Sequence, residues 1–472
     1  MKKALLYTLL ILGILPSLRA QYISEVLEYV PAPSQYMNAA PWGNPSAPES
    51  LIGGITGSVS LGAFGGYIVF RFDHAVENDP HNPYGADFTL FGNPLPDWSE
   101  PGIVSVMKDE NENGLPDDTW YELAGSDHFF SSTIRNYEVR YYNPGEDSAA
   151  DVPWTDNLDR DGFIRANSYF SQPYYPVHDS FPGIDTSSYL LSGTRIKSSI
   201  DTTFEEGIFS SKRAFGYADN QFRGAAPYTL PDNPYTATVE NSGGDAFDIS
   251  WAIDKAGNYI ELDRIHFVKV HSAVMDGAGW LGEVSTEITG AVDVAPDSTL
   301  KGETKILVIR DVPIELDTTM YQLEVLSFIN GIPENNNSLN WESNLPGVMV
   351  DENNVLHASQ SGDLTLKASL HSDNQISTSV STRINLGVNV SSELLAESTG
   401  FSFYPNPAHD RIRIAGEGNT YIRILDLRGK IMLEKAYVAD GSSIDIGHIP
   451  EGVYIIQAQI ESRSISRKLI VY

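Results

Sequence analysis

Residues 99–126 read SEPGIVSVMKDENENGLPDDTWYELAGS: a strand-like run, a polar loop and a second strand-like run. Ile103, Val104 and Val106 carry the first run, and Trp120, Tyr121 and Leu123 carry the second. β-Branched and aromatic residues flanking a turn-forming segment predict a hairpin rather than a helix. Inside the loop, Asp109, Asn111 and Asn113 alternate as oxygen carriers, Gly114 follows directly, and Asp117 and Asp118 come next. This order matches the first part of a calcium loop, where alternate residues turn oxygens inward toward a hard cation. The expected ligands are Asp109, Asn111, Asn113, Leu115, Asp117 and Asp118, with Gly114 allowing the sharp turn. Trp120 stands where an EF-hand has its closing Glu, and no helical pattern flanks the loop. The expected role is therefore a structural clip, the alternative being an acidic hairpin that binds nothing.

Outward from this hairpin, short strand-like runs recur at 67–72, 87–91, 137–142, 247–253 and 265–270, with Gly and Pro between them. Even spacing of short strands without a long amphipathic helix predicts an all-β fold, a large jelly-roll-like β-sandwich over residues 21–295. Tyr169, Phe170, Tyr174, Tyr175 and Trp280 fall outside strand periodicity. Aromatic residues so placed line the binding faces of secreted proteins, or else cap the open end of a sandwich. The first reading makes them candidate ligand-binding residues.

The texture changes near residue 296. Residues 339–355, LNWESNLPGVMVDENNV, set a Trp-bearing strand and a second strand on either side of a turn. This segment resembles bacterial immunoglobulin-like repeats, which implies an Ig-like spacer over 296–392. Residues 391–400 read as a polar linker. Three motifs follow: FYPNP at 403–407, ILDLRGK at 424–430 and IPEGVY at 449–454, before a basic-apolar end at 467–472. Together they resemble the C-terminal sorting domain of the type IX secretion system, here residues 400–472. The resemblance implies a small β-sandwich, the type IX machinery as a partner, passage across the outer membrane, and release or attachment to surface lipopolysaccharide. The stretches around Gly65–Asp73, Asp87–Asn93, Glu100–Gly102, Phe247–Asp254 and Trp280–Glu283 resemble uncharacterised surface proteins, some encoded near corrinoid (vitamin B12) uptake systems. That likeness carries no set of functional residues.

Residues 1–20 have two lysines, an apolar core and a small residue at Ala20, the pattern of a cleaved secretory signal. The chain has no cysteine, so no disulfide supports an exported fold and thiol catalysis is excluded. The net charge is −31, concentrated in residues 21–400. Phosphate recognition needs clustered cations, which excludes nucleic acid as the expected partner. No stretch after the signal is long and apolar enough for a membrane-spanning helix.

Few catalytic patterns are present. Gly277, Gly279 and Gly282 satisfy a dinucleotide-binding spacing, but a strand-like run follows where a helix is required. His266 and His271 are an odd number apart, so a strand points them to opposite faces. The acids Glu100, Asp248, Asp254 and Glu283 lie in motif-like stretches, and glycoside hydrolysis needs only two acids across a cleft. Their ordinary reading is capping, solvation or cation ligation. A second oxygen-rich run, Asn157, Asp159 and Asp161, contains Arg160. The leading expectation is non-catalytic capture of an extracellular ligand, a corrinoid, another nutrient or a glycan. The alternatives are a polysaccharide hydrolase and an adhesin.

Overall fold

The computed structural model describes residues 21–386 and 401–472, apart from 178, 203–207, 225–229, 237, 303, 335–337, 417–419, 427–429, 440 and 461–462. The expected signal at 1–20, the linker at 391–400 and part of the 424–430 motif lie outside these residues. Strands dominate, and only short 3-10 turns interrupt them among the described residues. No helix here is long and apolar enough to cross a membrane. The chain forms two compact units, one ending at Asn385 and the other spanning Leu386–Tyr472.

The first unit is built on a six-stranded antiparallel sheet in the order Glu25–Val30, Tyr67–Arg71, Phe267–Ser272, Gly102–Met107, Trp120–Leu123 and Ala252–Ile253. The opening hairpin thus supplies two neighbouring strands, Gly102–Met107 and Trp120–Leu123. All six residues of Gly102–Met107 are buried, as expected of a strand covered on both faces. One face packs Ile68, Phe70, Val104, Val106, Val268 and Val270 against Phe88, Leu90 and Phe247. A four-stranded sheet in the order Asp161–Ile164, Val152–Asp156, Ile134–Tyr142 and Ser188–Arg195 builds a second core around Tyr137, Val139, Tyr141 and Leu191. Alternating burial along Ile134–Tyr142 reflects one inward and one solvated face.

Residues after 296 share the first core. Val308 of strand Lys305–Arg310 and Phe328 of strand Glu324–Ile329 belong to the same buried cluster as Phe215 and Trp251. The Trp251 indole donates to the carbonyl of Asn330 at 3.0 Å, and Arg310 pairs with buried Asp127 at 3.2 Å. Trp341, expected inside an Ig-like core, is half-buried and lines a groove of about 480 Å³ with Leu307 and Val325.

The second unit pairs a three-stranded sheet, Phe401–Tyr404, Arg411–Gly416 and Ser443–Asp445, with a four-stranded one. The latter runs Ile431–Val438, Thr420–Leu425, Gly452–Ile460 and Arg463–Val471. Ile412, Ile414, Ile422, Ile424, Ile444 and Ile456 form its core.

Candidate functional site

The loop at 34–43 follows the first strand and is held against the aromatic loop at 167–177. Asn38 donates from its amide to the carbonyls of Pro173 and Tyr175, at 2.7 and 2.9 Å, and accepts from the Val177 amide. Gln35 joins three segments at one point. Its amide nitrogen donates to the carbonyl of Leu281 at 2.8 Å, its carbonyl accepts from Gln172 at 2.6 Å, and its side-chain oxygen accepts from Asn167. Gly282 permits this junction. Its φ of +100° is rare for L side chains, and a Cβ there would lie 2.6 Å from Gln35 Oε1.

These contacts assemble a surface of rings. Tyr169 and Trp280 are 70% and 64% exposed and meet edge to face, with centroids 6.4 Å apart. Tyr36 sits between Trp42 at 5.5 Å and Phe170 at 5.4 Å, both edge-on. Of the five aromatic residues expected at a ligand face, the fold therefore sets Tyr169, Phe170 and Trp280 at this surface. Tyr174 and Tyr175 are corrections. They are 1% and 2% exposed in the second core, where Tyr175 donates its hydroxyl to the carbonyl of Asp185 and the Tyr174 hydroxyl accepts from Asn167 N. Strong apolar packing with one polar handle satisfied explains their inward turn.

Beneath Tyr36 lies a cluster of acids. Carboxylate oxygens of Glu100, Asp219 and Glu287, one from each, fall within 4.8 Å of one another. Asp219 accepts from Asn93 N at 2.8 Å and Glu287 N at 2.9 Å. Its backbone is left-handed, with φ of 56°, and a Cβ on Gly92 would meet its Oδ1 at 2.0 Å. Glu100 accepts from Ser285 N at 3.0 Å, and Glu287 from the Ser285 hydroxyl at 2.6 Å. Glu283, 5% exposed, accepts from Gln35 N at 3.1 Å through Oε1. Burial pushes Glu100 and Glu283 up to about 7, and the charge of Glu100 adds to the effect on Glu283. Asp219 and Glu287 rise well above the usual carboxylate range, first from burial and then from Glu100. The same acids reach Tyr36, whose hydroxyl burial raises first and Glu287, Glu100 and Glu283 raise further.

Of the four acids singled out in the sequence, Glu100 and Glu283 join this cluster. Asp248 instead caps the 3-10 turn Ile249–Trp251 through Ser250 N at 2.7 Å, and Asp254 braces an exposed turn through Asn258 N at 2.9 Å. His266 accepts from Asp109 N, whereas His271 is buried against Thr194 and Phe64, so the two do not meet. Asp219, Glu287, Gln35 and Tyr36 escape sequence reasoning, since they lie far apart in the chain and in no motif. Trp42, in a Pro-rich segment outside strand periodicity, carried the same signal as Trp280.

The Asp109 loop is drawn inward. Asp109 accepts from Asn113 N and Gly114 N, at 3.1 and 2.8 Å, and Asn111 and Asn113 both direct amides at Asp117, at 3.2 and 3.0 Å. Leu115 donates its N–H to Asn113 Oδ1 at 2.7 Å. Asp118 accepts from Glu110 N at 2.9 Å. The second oxygen-rich run lies in a tight hairpin, where Arg160 pairs with Asp156, just before the run, at 2.7 Å.

Residues 402–472 match the family described as a secretion system C-terminal sorting domain. The last unit of the chain is a type IX sorting domain. It engages the secretion machinery and sends the protein through the outer membrane to the cell surface or the extracellular space. No curated protein matches the chain. Among solved structures, surface layer protein SbsC (domains 4–9) aligns at 12% identity over 48% of this chain and 44% of its own, with a TM-score of 0.15. Dimeric latent PorU from Porphyromonas gingivalis aligns at 10% identity over 71% of this chain and 30% of its own, with a TM-score of 0.13. The BSP domain of a biofilm-associated protein aligns at 8% identity, over 81% and 97%, with a TM-score of 0.14. Likenesses at this level carry no argument about the site.

Proposed function

We propose that this exported protein, released or attached to surface lipopolysaccharide, captures an extracellular glycan on its ring surface without transforming it. One observation carries the reading: Tyr169 and Trp280 are exposed at 70% and 64%, yet their loops are pinned by Gln35 and Gly282. Large apolar rings held in water lose contact with solvent when a ligand covers them, and little ordering remains to oppose binding. The electron-rich faces of the rings suit the C–H faces of sugars. The acids below speak against hydrolysis. A glycosidase pair flanks an open cleft at about 5–10 Å, whereas oxygens of Glu100, Asp219 and Glu287 crowd within 4.8 Å of one another. In the same reading Asp109, Asn111, Asn113 and Asp117 hold a structural calcium ion, with the Leu115 carbonyl as a further oxygen and Asp118 bracing the loop.

The test is a binding screen of the mature chain with plant and host glycans beside cobalamins, read by Trp fluorescence and calorimetry. A glycan is expected to bind, and Trp280→Ala to weaken it about thirtyfold, the factor for a 2 kcal/mol anchor. Cobalamin binding with no glycan signal would replace the glycan reading with the corrinoid one. Glycan binding unchanged by Tyr169→Ala and Trp280→Ala would remove the ring surface from the site.

A further inference from the structure

Glu100, Asp219, Glu283 and Glu287 are oxygen donors, and none of the leading influences on them is a Lys, Arg or His. An isolated buried carboxylate is costly, and enclosed charges are ordinarily paired or bound to a metal. Some of the groups around the cluster suit ionised carboxylates. Asp219 takes backbone N–H donors on both oxygens, and Glu100 takes a third. Donors so aimed favour the charged form of an acid. Oxygens bound to one calcium at about 2.4 Å lie at most about 5 Å apart, and the three acids here offer oxygens within 4.8 Å of one another.

A separate observation points the same way. Glu283 uses Oε1 to accept from Gln35, but its Oε2 is enclosed and without a hydrogen-bond partner. The charge that acts on this carboxyl is that of Glu100, so Glu283 neighbours the cluster. A buried acceptor lone pair left unused costs free energy unless something electropositive meets it.

We propose that Glu100, Asp219 and Glu287, backed by Glu283, form a buried site for a hard divalent cation of the calcium class, distinct from the Asp109 loop. All-oxygen donors select against zinc and copper, which prefer nitrogen and sulfur. The site lies below Tyr36, and Glu283 links it to Gln35, the residue that joins the ring-bearing loops. The assignment is independent of what the rings bind.

The experiment uses the mature chain with Asp109→Asn and Asp117→Asn to silence the loop, stripped with EDTA and titrated with calcium, magnesium and manganese. Native mass spectrometry and equilibrium dialysis read the stoichiometry. About one equivalent per chain is expected to remain, and adding Asp219→Asn and Glu287→Gln is expected to remove it. These isosteric changes also discharge the cluster, so the melting temperature without metal should hold or rise. Terbium supplies a readout that does not depend on altered acids. The Trp98 side chain lies close enough to act on Glu100, so bound terbium should show Trp-sensitised emission that calcium displaces and Trp98→Phe dims. The proposal is overturned if the loop-silenced chain binds no divalent cation at pH 7.5, which would mean the acids share protons instead. It is equally overturned if binding persists unchanged in the Asp219→Asn, Glu287→Gln chain, or if terbium emission ignores Trp98→Phe.

Discussion

Replacing Phe328 by Ala tests whether the strands after residue 296 stabilise the body of the first unit. Phe328 is 0% exposed, and its ring meets Phe215 edge to face at 5.2 Å, while Phe215 lies 5.1 Å from Trp251. A fully buried Phe removes roughly 150–250 Å² from water, or about 4–6 kcal/mol at 25 cal/mol per Å². The extended-chain reference makes that an upper bound, and measured Phe→Ala losses of roughly 3–5 kcal/mol set the working figure near 4. For a unit of this size the melting temperature should fall by roughly 5 °C. Calorimetry of the mature chain should show that fall in the main transition, and hydrogen exchange should quicken around residues 245–253, which lie on the other side of Phe215. Met349→Ala, at a side chain 63% exposed, is the control and should shift stability by less than about 0.5 kcal/mol. If Phe328→Ala lowers only a separate transition and leaves exchange at 245–253 untouched, residues 305–330 fold as an independent spacer and the shared-core argument fails.

Deleting residues 401–472 should leave the protein in the periplasm, because the sorting domain carries the export signal; truncated protein in the medium, detected by fractionation and immunoblot, would contradict this. Replacing Asp109 and Asp117 together by Ala should lower the calcium-dependent gain in stability by about 2.7 kcal/mol when free calcium is about a hundred times the dissociation constant. Identical melting curves for parent and variant in saturating calcium would make the loop an acidic hairpin. His271 supplies a pH dependence: burial holds it down to about 4, with Lys269 and His128 adding to the effect and Glu122 opposing it. Its folded pKa lies below the ordinary 6.5, so its stabilisation is complete above that value and is lost as pH falls toward 4, by about 3 kcal/mol. Denaturation of parent and His271→Gln between pH 7 and 4 should show the loss in the parent only; parallel curves would refute it.

The fold class was legible in the sequence because strand formation is signalled over a few residues. Ile103 to Val106 and Trp120 to Leu123 alternate and branch as neighbouring strands do, and the structure pairs Met107 with Trp120. The sorting domain was equally legible, since its turns and strands follow one another within residues 402–472. Exposure was not. Tyr169 and Tyr174 stand in one loop with the same composition, yet one reaches solvent and the other joins the core. Side-chain direction in an irregular loop depends on what packs against it, here Asn38 and the second sheet, and no local period encodes that.

The sequence by itself determined that this is an exported, cysteine-free, acidic β-protein with an oxygen-rich hairpin, because each of those properties is local or additive. It singled out Glu100 and Glu283 but gave no reason to join them to Asp219 and Glu287. Only the tertiary structure decided that. The Gly102–Ala218 bridge brings Asp219 beside Glu100, and the pairing of Glu287 with Ser60 carries the last acid into the same space. Strand register sets such long-range encounters, and register follows from the packing of whole sheets rather than from the residues that meet.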